Sequence, residues 1–214
     1  MSKNKTKLKI YNLIFFILII ILIVVIAMII FKYGSSQVNN KQAQDMVETF
    51  SQTELKLQEN VKSENEQNNE ADEIQLEYKG YKVIGIIKIP KINLEYPIIE
   101  IEDISPESAK KPMKLSIIKY WGENVNDYGN LSLAGHNNKD GTMFGKTKKL
   151  KNGDIVELTD LLGKTIQYSI FDIFVTDPND VSILLPKDEN IREVTLITCT
   201  NGNKERLILK AKQI

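Results

Sequence analysis

The pattern of apolar positions changes character twice along the chain. From Leu13 to Phe31 nineteen consecutive residues are apolar, and a helix of that length rises about 28 Å at ~1.5 Å per residue, close to the hydrocarbon thickness of a bilayer. From Gly34 to about Glu73 the chain is rich in Gln, Asn, Glu and Ser, and such a stretch buries too little surface to fold by itself. Met46, Phe50, Leu57 and Val61 fall near one helical face, which predicts a partly helical stalk but is too short a stripe for a coiled coil. From about Ile74 onward, short β-rich runs alternate with turn residues. Val83–Ile89, Leu94–Ile99, Asn130–Ala134, Ile155–Leu158, Thr165–Val175, Val194–Cys199 and Leu207–Ala211 read as strands, with Gly-, Asn-, Asp- and Pro-bearing turns between them. Short helices are predicted over Pro106–Ile118 and after Phe144. Strands at this spacing predict a barrel or a sandwich, and roughly 140 residues suffice for one such core without disulfides. The expected organisation is a basic tail over 1–12, a membrane span over 13–31, a polar stalk over 32–75 and a folded domain over 76–214.

Charge sharpens the first part of that picture. The formal net charge is zero, but residues 1–33 carry five Lys and no acid, whereas residues 34–75 carry three Lys against nine acids. Lys3, Lys5, Lys7 and Lys9 precede the apolar run and only Lys32 follows it closely, so the positive-inside rule places the N-terminus in the cytoplasm and the rest outside. A cleaved signal peptide is the competing reading. The run is longer than the usual apolar region of such a peptide and no clear Ala-x-Ala site follows, which favours a retained signal-anchor. The folded domain holds twenty Lys or Arg against nineteen acids, which excludes a basic nucleic-acid footprint.

Candidate chemistry is concentrated in very few residues. The chain has one cysteine and one histidine, and each ends a β-type run, Leu131–His136 and Val194–Cys199. A lone extracytoplasmic thiol is either used, paired with another chain or buried as a small hydrophobe. Used as a nucleophile it needs an imidazole or a cation nearby, because the thiolate is the reactive form, and His136 is the imidazole available. Acyl transfer also needs a donor for the developing oxyanion, and a guanidinium supplies one that stays charged. Arg206 is the candidate: if Cys199 and Arg206 flank one hairpin turn, their side chains converge. The other arginine, Arg192, then lies at the far end of the cysteine strand. The alternative is that His136 is a solvated turn residue, Arg206 an edge charge and Cys199 core. Papain-like enzymes place Cys before His, whereas here His precedes Cys by 63 positions, and the caspase Gln-Ala-Cys-x-Gly signature is missing. No metal site is expected from one Cys and one His.

These residues resemble those of the sortase family, the cysteine transpeptidases of Gram-positive bacteria. Thr195-Leu-Ile-Thr-Cys199 is similar to its Thr-Leu-x-Thr-Cys signature, Ala134-Gly-His136-Asn137 to its histidine segment, and Arg206 stands where its arginine follows. Gly141-Thr-Met-Phe-Gly145 and Leu150-Lys-Asn-Gly-Asp154 resemble the stretch after the histidine, so the likeness covers roughly residues 80–214. The resemblance implies a mainly β fold, a closed eight-stranded barrel with short helices. It implies an enzyme that cleaves a Leu-Pro-x-Thr-Gly-like sorting signal of secreted proteins between Thr and Gly. A thioacyl intermediate then passes to a cell-wall precursor amine or, in some classes, a pilin lysine. Carried over, it makes Cys199 the nucleophile, His136 the general acid and base, and Arg206 the oxyanion and positioning donor, with no organic cofactor. The absence of an Asp-Pro-aromatic lid motif and of a second apolar run, with a short Asp177–Arg192 segment, leans toward a housekeeping or class D-like enzyme. Val181, Ile183, Leu184 and Leu185 either line the signal groove or form a turn packed on the barrel. Some members bind calcium, but Glu123, Asp127, Asp177 and Asp180 read here as solvated loop acids. The competing functional class is a non-catalytic surface-exposed β-barrel binding module, and a third reading is an enzyme that mainly hydrolyses its thioacyl intermediate.

Overall fold

The computed structural model describes residues 2–63 and 76–214. The expected stalk between 64 and 75, and the side chains of Leu57 and Val61, lie outside the described residues. Helix α1 (Ser2–Ser63) runs through both the apolar stretch and the described part of the stalk, so helix extends further than the partial one expected. Two compact units divide the chain, Met1–Asn39 and Asn40–Ile214. In the first, Tyr11–Phe31 is long and apolar enough to cross a membrane, with mean hydropathy 3.9 and its side chains exposed.

The second unit holds the strands β1 (Leu76–Tyr78), β2 (Tyr81–Ile89), β3 (Leu94–Ile99), β4 (Ile117–Gly122) and β5 (Gly129–Ala134), then β6 (Ile155–Asp160), β7 (Thr165–Thr176), β8 (Arg192–Thr200) and β9 (Glu205–Gln213). They lie in the order β1-β2-β3-β4-β5-β8-β9-β7-β6, and β6 pairs back onto β2. Strands β2 to β9 thereby form a closed eight-stranded barrel, and β1 is a short addition to the rim of β2. Closure removes the open edges through which a sheet aggregates. Two neighbouring pairs are parallel, β3 with β4 and β5 with β8, and parallel neighbours require a crossover. Helix α2 (Pro106–Met113) supplies the first. Its start is written in the sequence. The Ser105 hydroxyl accepts from the Ser108 amide, Pro106 fills the first turn where no amide partner is needed, and Glu107 sits at the positive end.

One expectation needs correction. The helix predicted over Pro106–Ile118 ends at Met113, and Ile117–Gly122 is strand β4. Pro112 lies inside the last turn, and the β-branched and aromatic run Ile-Ile-Lys-Tyr-Trp that follows it favours a pleated surface. The segment after Phe144 is a 3₁₀ helix, Phe144–Lys149.

Alternation along the strands builds two apolar layers, because successive side chains of a strand point to opposite faces. One face fills the barrel with Ile87, Ile89, Ile98, Leu133, Leu158, Leu196 and Leu209. The other carries Ile86, Ile99, Ile118, Ala134, Ile197 and Ile208 into a second cluster outside the barrel wall. Covering that outer layer are Ala109 of α2, Ile183 of a 3₁₀ turn, Val181–Leu184, and Met46 and Phe50 of α1. The α1 segment from Asn40 is further tied down by Tyr96, whose hydroxyl bonds Asn40, and by Gln44 Nε2, which donates to the Glu95 carbonyl at 2.7 Å.

Leu133→Ala, which empties a fully buried position, is expected to cost ~2–5 kcal/mol. Leu162→Ala, at a side chain 80% exposed, stays within ~0.5 kcal/mol. Urea unfolding of the detergent-solubilised chain checks both.

Candidate active site

The site follows from strand register. Across β8 and β9 the Cα partners are Glu193 with Lys212, Thr195 with Lys210, Ile197 with Ile208, and Cys199 with Arg206. Across β5 and β8 they are Asn130 with Glu193, Ser132 with Thr195, and Ala134 with Ile197. All these side chains share the parity of Ala134, Ile197 and Ile208, hence the outer face. They form rows across three adjacent strands. Side-chain and backbone bonds carry the β5–β8 pairing beyond Ala134: the Gly135 amide donates to the Ile197 carbonyl at 3.2 Å and the Thr198 hydroxyl to the Gly135 carbonyl at 2.7 Å. Asn137 Nδ2 donates to the Cys199 carbonyl at 2.8 Å. His136 therefore stands level with Cys199, and the last row brings together His136, Cys199 and Arg206, each partly exposed.

Local geometry sets each of the three. The His136 carbonyl accepts from the Phe144 amide at 3.0 Å, and Asn137 pairs with Met143, closing the loop that follows the histidine. Met143 holds φ 49° and ψ −127°, an uncommon conformation for a side-chain-bearing residue. It is kept there by burial and by the bond from its amide to the Tyr96 hydroxyl at 3.3 Å. Gly145 packs against the same loop so closely that a Cβ would lie 2.1 Å from the Asn138 carbonyl oxygen. Burial, and secondarily the charge of Lys114, lowers the His136 pKa from 6.5, favouring the neutral imidazole that can accept a proton. The turn after Cys199 passes through left-handed Asn201, Gly202 and Asn203, and Arg206 Nη1 donates to the carbonyls of Asn203 and Glu205, both at 3.2 Å. The guanidinium is thus braced on the hairpin that holds the cysteine.

Arg192 lies at the opposite end of β8, stacked 3.7 Å over the Tyr128 ring and donating through Nε to the Asn126 carbonyl. The 177–191 connection divides: Ile183 is buried in the outer layer, whereas Val181 and Leu185 are exposed. Asp177 and Asp180 accept from turn amides at Asn179 and Ser182. Among the described residues no cluster of three His, Cys, Asp or Glu side chains is placed to hold a metal ion. Sequence reasoning missed Asn137 and the buried polar residues Asn130, Ser132, Glu193, Thr195 and Lys210. Adjacency to the histidine was the one signal for Asn137. The others alternate with core residues and so look like a solvent face.

Because the folded state binds a proton at His136 less tightly than the unfolded chain does, stability falls as pH drops from about 6.5 toward the lower folded value and then levels off. His136→Gln is expected to remove that segment of the pH dependence. Urea midpoints of wild type and variant at pH 8 and pH 5 check it: the wild type loses more than the variant on acidification.

The Sortase domain family model matches residues 87–214, more than half of the chain. The chain is 30% identical over 131 residues to Sortase A of Bacillus anthracis, covering 60% of this chain and 58% of that one. It is 32% identical over 115 residues to Sortase D of Bacillus subtilis, covering 54% and 53%. It thus spans little more than half the length of these curated relatives. The solved structure of a Clostridium perfringens Sortase D5 transpeptidase is similar at TM-score 0.57 and 29% identity, covering 83% of this chain and 99% of that one.

Proposed function

The chain belongs to the sortase family, and from that premise we propose that it is a membrane-anchored cysteine transpeptidase acting on secreted proteins with a Leu-Pro-x-Thr-Gly-like sorting signal. One observation supports the reading: Cys199 and Arg206 are Cα partners at the ends of β8 and β9, and Asn137, next to His136, donates to the Cys199 carbonyl, with His136, Cys199 and Arg206 each partly exposed. Rigid strand ends hold reacting groups better than free loops do.

In the proposed reaction the Cys199 thiol passes its proton to neutral His136, and the sulfur attacks the carbonyl carbon of the signal's Thr. Arg206 stabilises the oxyanion that forms. Collapse of the tetrahedral species breaks the Thr–Gly C–N bond, and the imidazolium gives its proton to the leaving amine. The resulting thioester is attacked by an incoming cell-wall amine, which surrenders a proton to His136 as the C–S bond breaks and the thiolate returns. Hydrolysis is the same second half with water in place of the amine. An N-terminus in the cytoplasm and the barrel outside would bring the enzyme to substrates presented at the outer membrane surface, and the span Tyr11–Phe31 supports such an anchor.

Cys199→Ala is expected to abolish cleavage of a signal peptide by the full chain in micelles. His136→Ala should lower kcat by ~10²–10⁴-fold and Arg206→Ala by ~10²–10³-fold, with Arg206→Lys recovering little because an ammonium lacks the planar fork. Adding a glycine-type amine should shift product from acid to amide. Retained turnover in Cys199→Ala overturns the reading in favour of a binding module, and product unmoved by amine makes the enzyme a hydrolase.

A further inference from the structure

The connection from β7 to β8 begins beside the site, since Thr176, the last residue of β7, is the Cα partner of Arg206. It returns to the sheet at Arg192, the opposite end of β8, and so must travel the length of the outer face. Along that path it is fastened residue by residue. Ile183 joins the apolar layer of Ala134, Ile197 and Ile208. The next carbonyl, of Leu184, accepts from Asn130 Nδ2 at 2.9 Å, and that of Leu185 accepts from Lys210 Nζ at 3.3 Å. The Lys187 amide then donates to Glu193 Oε2 at 3.2 Å.

The three fasteners are unusual residues to bury. Asn130, Glu193 and Lys210 are 2%, 3% and 5% exposed, and burying such groups is costly unless each finds partners. Asn130 is satisfied on its other side as well, by the Thr195 hydroxyl at 2.8 Å and the Ser132 hydroxyl at 3.1 Å. Lys210 and Glu193 come from adjacent strands, and the Glu193 charge opposes the desolvation of the ammonium. Apolar residues would pack this surface without such a cost. What polar ones add is direction: they grip backbone atoms of one segment at fixed points. The outcome is a connection that starts from Thr176, the Cα partner of Arg206, and is pinned at Leu184, Leu185 and Lys187.

We propose that Lys210, with Asn130 and Glu193, is a positioning residue that clamps the 177–191 connection as a preset wall beside the Cys199 row, so that a peptide docks against an ordered surface instead of ordering it on arrival. The inference rests on the transpeptidase reading for its consequence, but the clamp itself does not. Ordering a segment before binding raises affinity by removing that entropy cost from the binding step.

The test uses the full chain in micelles with Lys210→Met, and with Lys210→Met/Glu193→Gln so that no unpaired carboxylate is left to destabilise the barrel. Amide exchange of residues 183–185 and 187 is expected to quicken about tenfold in both, the size of one hydrogen bond, with amides 195–198 of β8 unchanged. KM for the signal peptide should rise about tenfold with kcat within about twofold, and iodoacetamide should label Cys199 at the wild-type rate. Exchange at 183–185 and 187 that does not change overturns the clamp, as does a fall in kcat with slower labelling, which would place Lys210 in a merely structural role under the site. A wild-type chain that leaves the peptide intact overturns the transpeptidase reading instead, and the exchange measurement still decides the clamp.

Discussion

Everything distinctive about this barrel depends on the register of β5, β8 and β9. A strand alternates its faces with period two, so a slip of one residue would turn every side chain of a strand over. In the register observed, Val194, Leu196 and Leu209 fill the barrel, while Cys199 and Arg206 face each other outside it as Cα partners. A one-residue slip of β8 would drive Glu193, Thr195 and Cys199 inward and turn Val194 and Leu196 out of the barrel core. Such an arrangement forfeits apolar burial and buries a carboxylate in the barrel, each worth kcal/mol. The core that stabilises the fold therefore also enforces the pairing of Cys199 with Arg206. Shape and chemistry are one constraint here, read on opposite faces of the same strands.

The outer layer is what separates this unit from a bare barrel. A barrel closed by β6 on β2 already satisfies its backbone, yet its outer wall between β2 and β9 is strongly apolar, with Ile86, Ile99, Ile118, Ile197 and Ile208. Those residues are buried only because α2, the 177–191 connection and the α1 segment from Asn40 lie across them. The α1 segment does so through Met46 and Phe50, two of the residues that suggested a helical face in the polar stalk. Its polar residues add fixed points, from Asn40 to Tyr96 and from Gln44 to the Glu95 carbonyl. Tyr96 in turn accepts from Met143, in the loop that follows His136. A continuous set of contacts thus runs from the beginning of the compact unit to the histidine loop.

Much of this could be read from the chain itself, for reasons that are visible in particular residues. Strong β-branched runs bounded by turn chemistry, such as Val194–Cys199 and Thr165–Val175, marked their strands because propensity, period and boundaries agreed. The pairing of Cys199 with Arg206 across the hairpin was legible because a short hairpin leaves few registers. Strand β4 was not, since Pro106 and the Ser105 cap open a real helix, and the signals that end it, Pro112 and the β-branched run from Ile117, are short beside that start. The polar rows beneath the 177–191 connection were hidden for a different reason. Asn130 and Ser132 alternate with Leu131 and Leu133 as any half-exposed strand does, and only the path of a segment some fifty residues later decides that they are covered.

That path also explains why the exposed row lies where it does. The outer face of β5, β8 and β9 offers four levels, and the cover reaches three of them: polar groups grip it at the levels of Glu193 and Thr195, and Ile183 seals the level of Ile197. The level of Cys199 is left because the connection leaves the sheet at Thr176, beside Arg206, and must clear the strand ends before it can descend. Cys199 at that level is partly exposed, its Cα partner Arg206 is braced on the hairpin, and His136, whose pKa burial lowers, follows the end of β5. Partial burial is what the proposed reaction would require: enough exposure for a peptide to enter, and enough exclusion of water for a positive charge to act on a developing negative one at less than bulk dielectric.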